Sequence, residues 1–494
     1  MKHMKKVICL TLLAAIIFFA FSCRKDQFFA PSISGVGADT IVLNIGDRMV
    51  LAPNITNVAG NSYTWLVNGK KVASDQINYT FEATVPGDFD VRFKVNNKGG
   101  ADEQSFKIHV EEAIVISMGS VLTAPLSEVV EIAPLVKGPK RSDYAYEWSI
   151  GDSVIAKSLH LSFISPEPGS YDLTLRVTAG KQTATATSKI TVATADYSTN
   201  AYTVLEYAPA PGKLHNWSVI GDKDSWKYGV EYPLAYNDFL TKATALRKAT
   251  PYLRLFVGSW GGYATFKFDH TVANVAGKTD LELTAFFSNR DLPGVYVAYD
   301  RNKNGKPDDD EWYEIKNADY GLEDTLEYEM TFTYDRTEVV DNKRVYTYFG
   351  WVDNKTSSAQ GTIETNKTFS SATTTSGALS TRGFFPGCYM DINAKEMVIM
   401  DGWKQSFSRK GKRITKDLTG ASPFAQALNI DIDMAVNVKG EPVHLPGINF
   451  VKVRKNVYPI QQDFLNNGGK MTDFNMEETR MLQVGSIIDR NLKK

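Results

Sequence analysis

The densest run of chemistry-bearing side chains lies at Asp300-Arg-Asn302-Lys-Asn304-Gly305-Lys306-Pro-Asp308-Asp-Asp-Glu311. Its spacing satisfies the twelve-residue calcium-loop pattern D-x-[DN]-x-[DN]-G-x5-E in full. Side-chain oxygens of Asp300, Asn302 and Asn304 can converge on one hard cation, and Gly305 permits the sharp turn between them. The Lys306 carbonyl adds a ligand, Asp308 reaches the ion through water, and Glu311 closes the site with both oxygens. An all-oxygen donor set points to calcium before magnesium. Five carboxylates within these twelve residues would repel one another without a cation. The competing reading is a solvated acidic hairpin loop. The flanking stretches "GVYVAYD" and "EWYEI" are strand-like, so the loop joins strands, and its expected role is structural, beside a binding face.

A second candidate is aromatic. Trp260 and Tyr263 flank Gly261-Gly262, a place where a ligand could approach the backbone and a sugar ring could stack. For either residue alone, a place in the core is the commoner outcome. His270, in "FDHT", reads as a hydrogen-bonded residue at a strand end. Catalytic signatures are missing: there is no G-x-S-x-G elbow, no H-E-x-x-H and no supported Cys-His pair. Glu311 and Glu314 are candidates for glycoside hydrolysis only by being acidic. That chemistry needs two carboxyl groups about 5 to 9.5 Å apart, which sequence does not specify. The expectation is a protein that binds and does not catalyse.

The N-terminus reads as an export signal. Lys2, Lys5 and Lys6 precede an apolar run from Val7 to Phe21, shorter than the about 20 residues of a spanning helix. Ala20-Phe21-Ser22-Cys23 resembles a bacterial lipobox, which implies that Cys23 carries the lipid and begins the mature chain. Cys9 leaves with the signal and Cys388 remains alone, so no disulfide forms within an acylated mature chain. A net charge of −1 argues against nucleic acid, whose binding needs a concentrated basic surface. The remaining histidines, His109, His160, His215, His270 and His444, show no metal-ligand spacing. The lipid is the expected membrane attachment.

The elements that hold these residues are β-strands. Tyr63-x-Trp65 recurs as Tyr146-x-Trp148, and Pro86-Gly87-Asp88-Phe89-Asp90-Val91 recurs as Pro168-Gly169-Ser170-Tyr171-Asp172-Leu173. "FDVRFKV" and "YDLTLRV" alternate with period two, so each buries one face. Short strands at this spacing without helices imply β-sandwiches, with Trp65 and Trp148 as core plugs. The two units, 31–112 and 113–193, resemble PKD domains of the immunoglobulin-like class, through the Y-x-W strand, the Pro-Gly turn and the closing "SKITV". That resemblance implies spacers or adhesion modules.

After a polar linker at 194–200, residues 201–494 read as one larger domain. "FLTKATALRKAT" (239–250) is the one short helix, with Leu240, Ala243, Ala245 and Leu246 on its apolar side and Pro251 as its stop. "YATFKFDH", "LELTAFF", "EYEMTFTY", "RVYTYFGWV" and "GINFVKVRK" are strands, which favours a jelly-roll-like sandwich. The Ser/Thr-rich stretch 353–382 reads as a long loop. The fold class is therefore all-β: two Ig-like/PKD-like sandwiches, then a larger jelly-roll-like one.

The stretches "VLEYAPAPG", "GGYATFKFDHTVANV", "PGVYVAYDRNKNGKPDDDEWYEI", "YFGWVDN" and "DIDMAVNVKGEPVHLPGINFVKV" are similar to Bacteroidetes cell-surface lipoproteins encoded near outer-membrane nutrient receptors. This resemblance implies an outer-membrane location, surface display, an outer-membrane receptor as a partner, and capture of a glycan or other nutrient. A corrinoid is one non-sugar form of that nutrient. The alternatives are a calcium-dependent adhesin for host or matrix protein and, further off, a glycan-degrading enzyme.

Overall fold

The computed structural model describes residues 28–34, 39–119, 121–210, 236–250, 254–258, 260–287, 292–340, 344–355, 360–368, 388–391, 396–399, 406–414, 425–457, 470–471 and 482–493. Cys23, the signal segment and most of the 353–382 loop lie outside the described residues. The chain forms two compact units. Unit 1 comprises 1–120, 133–161 and 172–188; unit 2 comprises 121–132, 162–171 and 189–494. The stretch expected to stand alone as a second sandwich, 113–193, is thus shared between them.

In unit 1 the first repeat is an Ig-like sandwich. One sheet runs Ile41–Asn44, Gly100–Glu111, Gly87–Asn97, Ser62–Val67 and Lys70–Ser74, its first pair parallel. Arg48–Leu51 pairs with Tyr79–Glu82, and Ser32–Ser34 with Asn54–Thr56. Along Gly87–Asn97, Val91, Phe93 and Val95 are buried while Arg92 and Lys94 are exposed, so the period-two pattern does set the face. Trp65 is 0% exposed, packs on Tyr79, Phe93 and Phe106, and donates its Nε1–H to the Gln76 carbonyl at 3.2 Å. The second repeat copies this. Trp148 is equally buried and donates to Ser158 O at 2.9 Å, and Tyr144–Ile150 pairs with Gly169–Ala179 as Ser62–Val67 pairs with Gly87–Asn97. Gly87 and Gly169 take φ of +133° and +152°, values that side chains resist, which explains the recurring Pro-Gly.

Unit 2 centres on two antiparallel sheets. The six-stranded one runs Thr203–Ala208, Tyr263–Ala273, Gly447–Lys455, Pro293–Ala298, Trp312–Ile315 and Ala435–Val436. The four-stranded one runs Leu255–Gly258, Leu482–Asp489, Leu281–Phe287 and Ala425–Ile430. Phe266, Val295, Val451 and Val453 from the first meet Leu281, Leu283, Val484 and Ile487 from the second in one core. A further sheet runs Ser406–Ile414, Glu323–Val340, Arg344–Asp353, Gln360–Thr368 and Lys470–Met471, so the stretch 353–382, expected to be one long loop, contains a strand paired with the preceding one.

The helix spans Tyr236–Ala249, so it starts three residues earlier than the sequence pattern indicates and stops before Pro251. Its inward face is also different. Ala243 is buried, Ala245 is exposed, and Arg247 is almost wholly enclosed. The Arg247 guanidinium stacks on Phe266 at 4.6 Å and donates to the carbonyls of Ala201, Val484 and Gly485. Burial lowers its pKa to about 10.

The 194–200 stretch is fastened to the core. Asp489 N donates to Thr199 O at 2.7 Å, Ala201 N to Ile487 O at 2.9 Å, and Ile487 N to Asn200 Oδ1 at 3.0 Å. Unit 2 also holds the segments of the second repeat that it contains. Thr271 N donates to Ser127 O at 3.0 Å, and Lys493 N donates to Pro166 O at 2.9 Å.

Candidate functional site: a polar cleft beside the acidic loop

The loop between Pro293–Ala298 and Trp312–Ile315 is closed by its own hydrogen bonds. Asp300 accepts from Asn304 N at 3.0 Å through one carboxylate oxygen and from Gly305 N at 2.8 Å through the other. Glu311, 2% exposed, accepts from Arg301 N at 2.9 Å and from Asp308 N at 3.1 Å. Asn302 and Asn304 both aim their amides at Asp308 Oδ2, at 2.6 and 3.0 Å. Gly305 takes φ +77°, as the sharp turn requires.

The donor types suit a calcium ion, since all six ligating positions offer oxygen. Their present arrangement is different. Among the described residues no three histidine, cysteine or carboxylate side chains are gathered so that they could hold a metal. Asn302 and Asn304 turn nitrogen, not oxygen, toward Asp308. An ion beside Asp308 would need both amides reversed, at the expense of the bonds that their oxygens accept from Asn304 N and Lys306 N.

Next to this loop, and wholly within unit 2, lies a cleft of about 360 Å³. Lys267, Asp269 and Thr271, at alternate positions of Tyr263–Ala273, line it together with Phe268 and His270 between them, where the pairing with Gly447–Lys455 slips register. Asn449 ties the floor together: its Oδ1 accepts from Asp300 N at 3.0 Å and its Nδ2 donates to Thr271 Oγ1 at 2.9 Å. Lys267 Nζ donates to Gly305 O at 3.0 Å, which fastens the acidic loop to the same strand. Asp300 and Lys303 therefore belong to loop and cleft alike. Tyr197, Tyr299 and Glu128 complete the rim.

His270 sits at the back with its side chain 0% exposed. Its Nδ1 faces Asp269 Oδ1 and its Nε2 faces Asp489 Oδ2, both at 2.9 Å. Tyr197 stacks on the imidazole at 5.2 Å. Burial foremost, then Glu128 and Asp269, push the Tyr197 hydroxyl pKa up. Burial, then Glu131 and Asp300, do the same for Tyr299. Both phenols thus stay neutral donors near physiological pH.

The aromatic platform needs correction. Trp260 is 1% exposed and lies edge-on to Trp351 at 6.1 Å, so it presents no stacking face. The glycines beside it admit backbone, not ligand: a Cβ on Gly262 would stand 1.9 Å from Val257 O. Tyr263 is half-buried under Lys452 and Arg454, at 5.4 and 5.2 Å from its ring centre, and it does not line the cleft. Glu314 is neutralised by Lys412, whose Nζ donates to both its oxygens at 2.6 and 2.5 Å. Of the residues singled out in the sequence, the structure brings Asp300 and His270 to the cleft. Glu128, Tyr197, Tyr299 and Lys303 were missed.

Comparison with known proteins adds one firm point. A family described as "PKD-like domain" matches residues 31–97, the first sandwich up to but not including its strand Gly100–Glu111. No curated protein matches the chain in sequence. Among solved structures it is similar to the N-terminal four Ig domains of Dscam1 isoform 8.4, with 14% identity over 33% of this chain and 46% of that one, at a TM-score of 0.22. The insect immune protein hemolin shows 16% identity over 35% and 49%, at 0.26. Titin A168–A169 shows 16% over 34% and 100%, at 0.21. The chain spans less than half of the Dscam1 and hemolin structures. Likeness at this level says nothing about ligand or partner.

Proposed function

We propose that this chain is an exported, lipid-anchored outer-membrane protein that captures a glycan or another nutrient through unit 2 and performs no chemistry on it. The observation that carries this reading is the cleft. It offers two phenols, both signs of charge and a side-chain amide, a set suited to holding a polar ligand. Its one imidazole has no exposed surface, and both nitrogens face carboxylates. A general base needs a free lone pair within reach of the substrate. The lipobox-like Cys23 supports anchoring, and an outer-membrane receptor that takes over the ligand is the natural partner. Among the described residues no helix is long and apolar enough to cross a membrane.

Calcium belongs to the same proposal. Asp300, Asn302, Asn304, Asp308, Glu311 and the Lys306 carbonyl would hold it, once the two amides turn. It would supply a fixed positive charge that offsets the carboxylates of Asp300, Asp308 and Glu311 and would hold in place the loop that carries Lys303.

A glycan array probed with the lipid-free mature protein, followed by mass spectrometry of any bound glycan, tests the reading. Retention of intact glycan supports it. Shortened products overturn the non-catalytic part. Binding to matrix protein alone replaces capture with adhesion.

A further inference from the structure

We infer that the cleft takes a neutral saccharide, and that the segment 121–132 of the second sandwich forms part of the binding site. This rests on the capture reading above and names its ligand class and its walls. The first argument is charge. Glu128 and Asp269 line the cleft together with Lys267 and Lys303, while the Asp300 carboxylate is committed to its own loop. A polyanion would meet two carboxylates, and a polycation would meet two ammonium groups. A neutral polyol avoids both conflicts, because each hydroxyl can donate to a carboxylate and accept from a lysine or an amide. The hydroxyls of Tyr197 and Tyr299 extend the same pattern along the rim.

The second argument is placement. Glu128 and Val129 come from the same short segment, and both line the cleft. Their position is not left to a flexible hinge. Ser127, next to Glu128, is fully buried, accepts from Thr271 N at 3.0 Å and donates its own N–H to Ser165 O at 2.9 Å. Thr271 is itself on the cleft strand. The Lys493–Glu167 ion pair at 2.9 Å adds a tie to the neighbouring segment 162–171. A residue held this way serves as a wall, where a spacer would need none of these bonds.

The test uses the full mature protein and calorimetric titration with maltohexaose, xylohexaose, mannohexaose and, as the acidic control, hexagalacturonate. One of the neutral hexamers should bind, and hexagalacturonate should bind more weakly. Glu128→Ala and Lys303→Ala alter exposed side chains and should leave the melting temperature unchanged. Each should weaken the neutral hexamer by about tenfold, as expected for one charge-assisted hydrogen bond. Wild-type affinity in both variants would overturn the inference while leaving capture intact. Preference for hexagalacturonate would overturn the neutral class. Failure of the wild type to retain any glycan on the array would sink capture of glycans, and this inference with it.

Discussion

Asp300→Ala separates the calcium loop from a merely acidic one. The carboxylate holds two backbone amides, Asn304 N at 3.0 Å and Gly305 N at 2.8 Å. Bonds to a charged group contribute about 1.5–3 kcal/mol each, but water can take over amides at a half-exposed loop. A net loss of about 1–3 kcal/mol without metal is expected. Calcium bound only by the folded form adds about 2.7 kcal/mol at 100 times its dissociation constant. An extracellular site as weak as about 10⁻⁴ to 10⁻³ M could still be filled. The loss on substitution should therefore roughly double when calcium replaces chelator. At about 2 °C per kcal/mol for a unit of this size, that means a few degrees in chelator and about twice as many in calcium. Calorimetric melts of wild type and variant in both buffers measure it. Superimposed wild-type melts in calcium and chelator refute the metal. A variant that melts at or above wild type in both buffers refutes the hydrogen-bond argument as well, and leaves charge repulsion as the dominant force.

Other outcomes follow from single sites. Trp65→Ala and Trp148→Ala should each cost about 3–5 kcal/mol, read from denaturant midpoints, because each empties a fully buried indole site. Cys23→Ala should move the protein from the membrane fraction to the soluble one; a variant that still sediments after a salt wash speaks against the lipid. Asp280 is buried, which raises its carboxyl pKa from 3.8 to about 6. The folded state thus binds that proton more tightly than the unfolded one, so this stability is full below about pH 4 and lost as pH rises through about 6. The stability of wild type relative to Asp280→Asn should fall by up to about 3 kcal/mol between pH 4 and pH 7; a constant difference across that range contradicts it.

The repeat was legible because period two and the Y-x-W and Pro-Gly signatures report on local geometry. Trp65 and Trp148 are buried for the reason that their alternation suggests. Trp260 was misread because a tryptophan beside two glycines looks alike whether the glycines admit a ligand or a neighbouring strand. The Val257 carbonyl settles it, and that contact is set by how the strands cross. Arg247 carried a signal that its charge obscured. It lies four residues after Ala243, on the same helical face, and an arginine stem packs well on an aromatic ring. Lys267, Asp269 and Thr271 could have been grouped by alternation, though Phe268 and His270 between them could not. Glu128 could not, because its place depends on a hydrogen bond between residues far apart in sequence.

On the proposed reading, that same bond changes what the second repeat contributes. A PKD-like unit reads as a spacer when only its own core is considered. In unit 2 the segment 121–132 gives Thr271 its backbone acceptor and gives the cleft Glu128 and Val129. A chain beginning at residue 194 would keep Tyr197, Lys267, Asp269, Tyr299 and Lys303 but would lose that wall. It would also leave Thr271 N, on a buried residue, without the Ser127 carbonyl, a cost of about 1–3 kcal/mol where water does not replace it. Such a fragment should fold less stably and bind more weakly, since both effects remove the same edge. The boundary that the sequence draws at 194–200 is therefore a boundary of repeats, and compact unit 2 takes in chain from earlier, at 121–132 and 162–171.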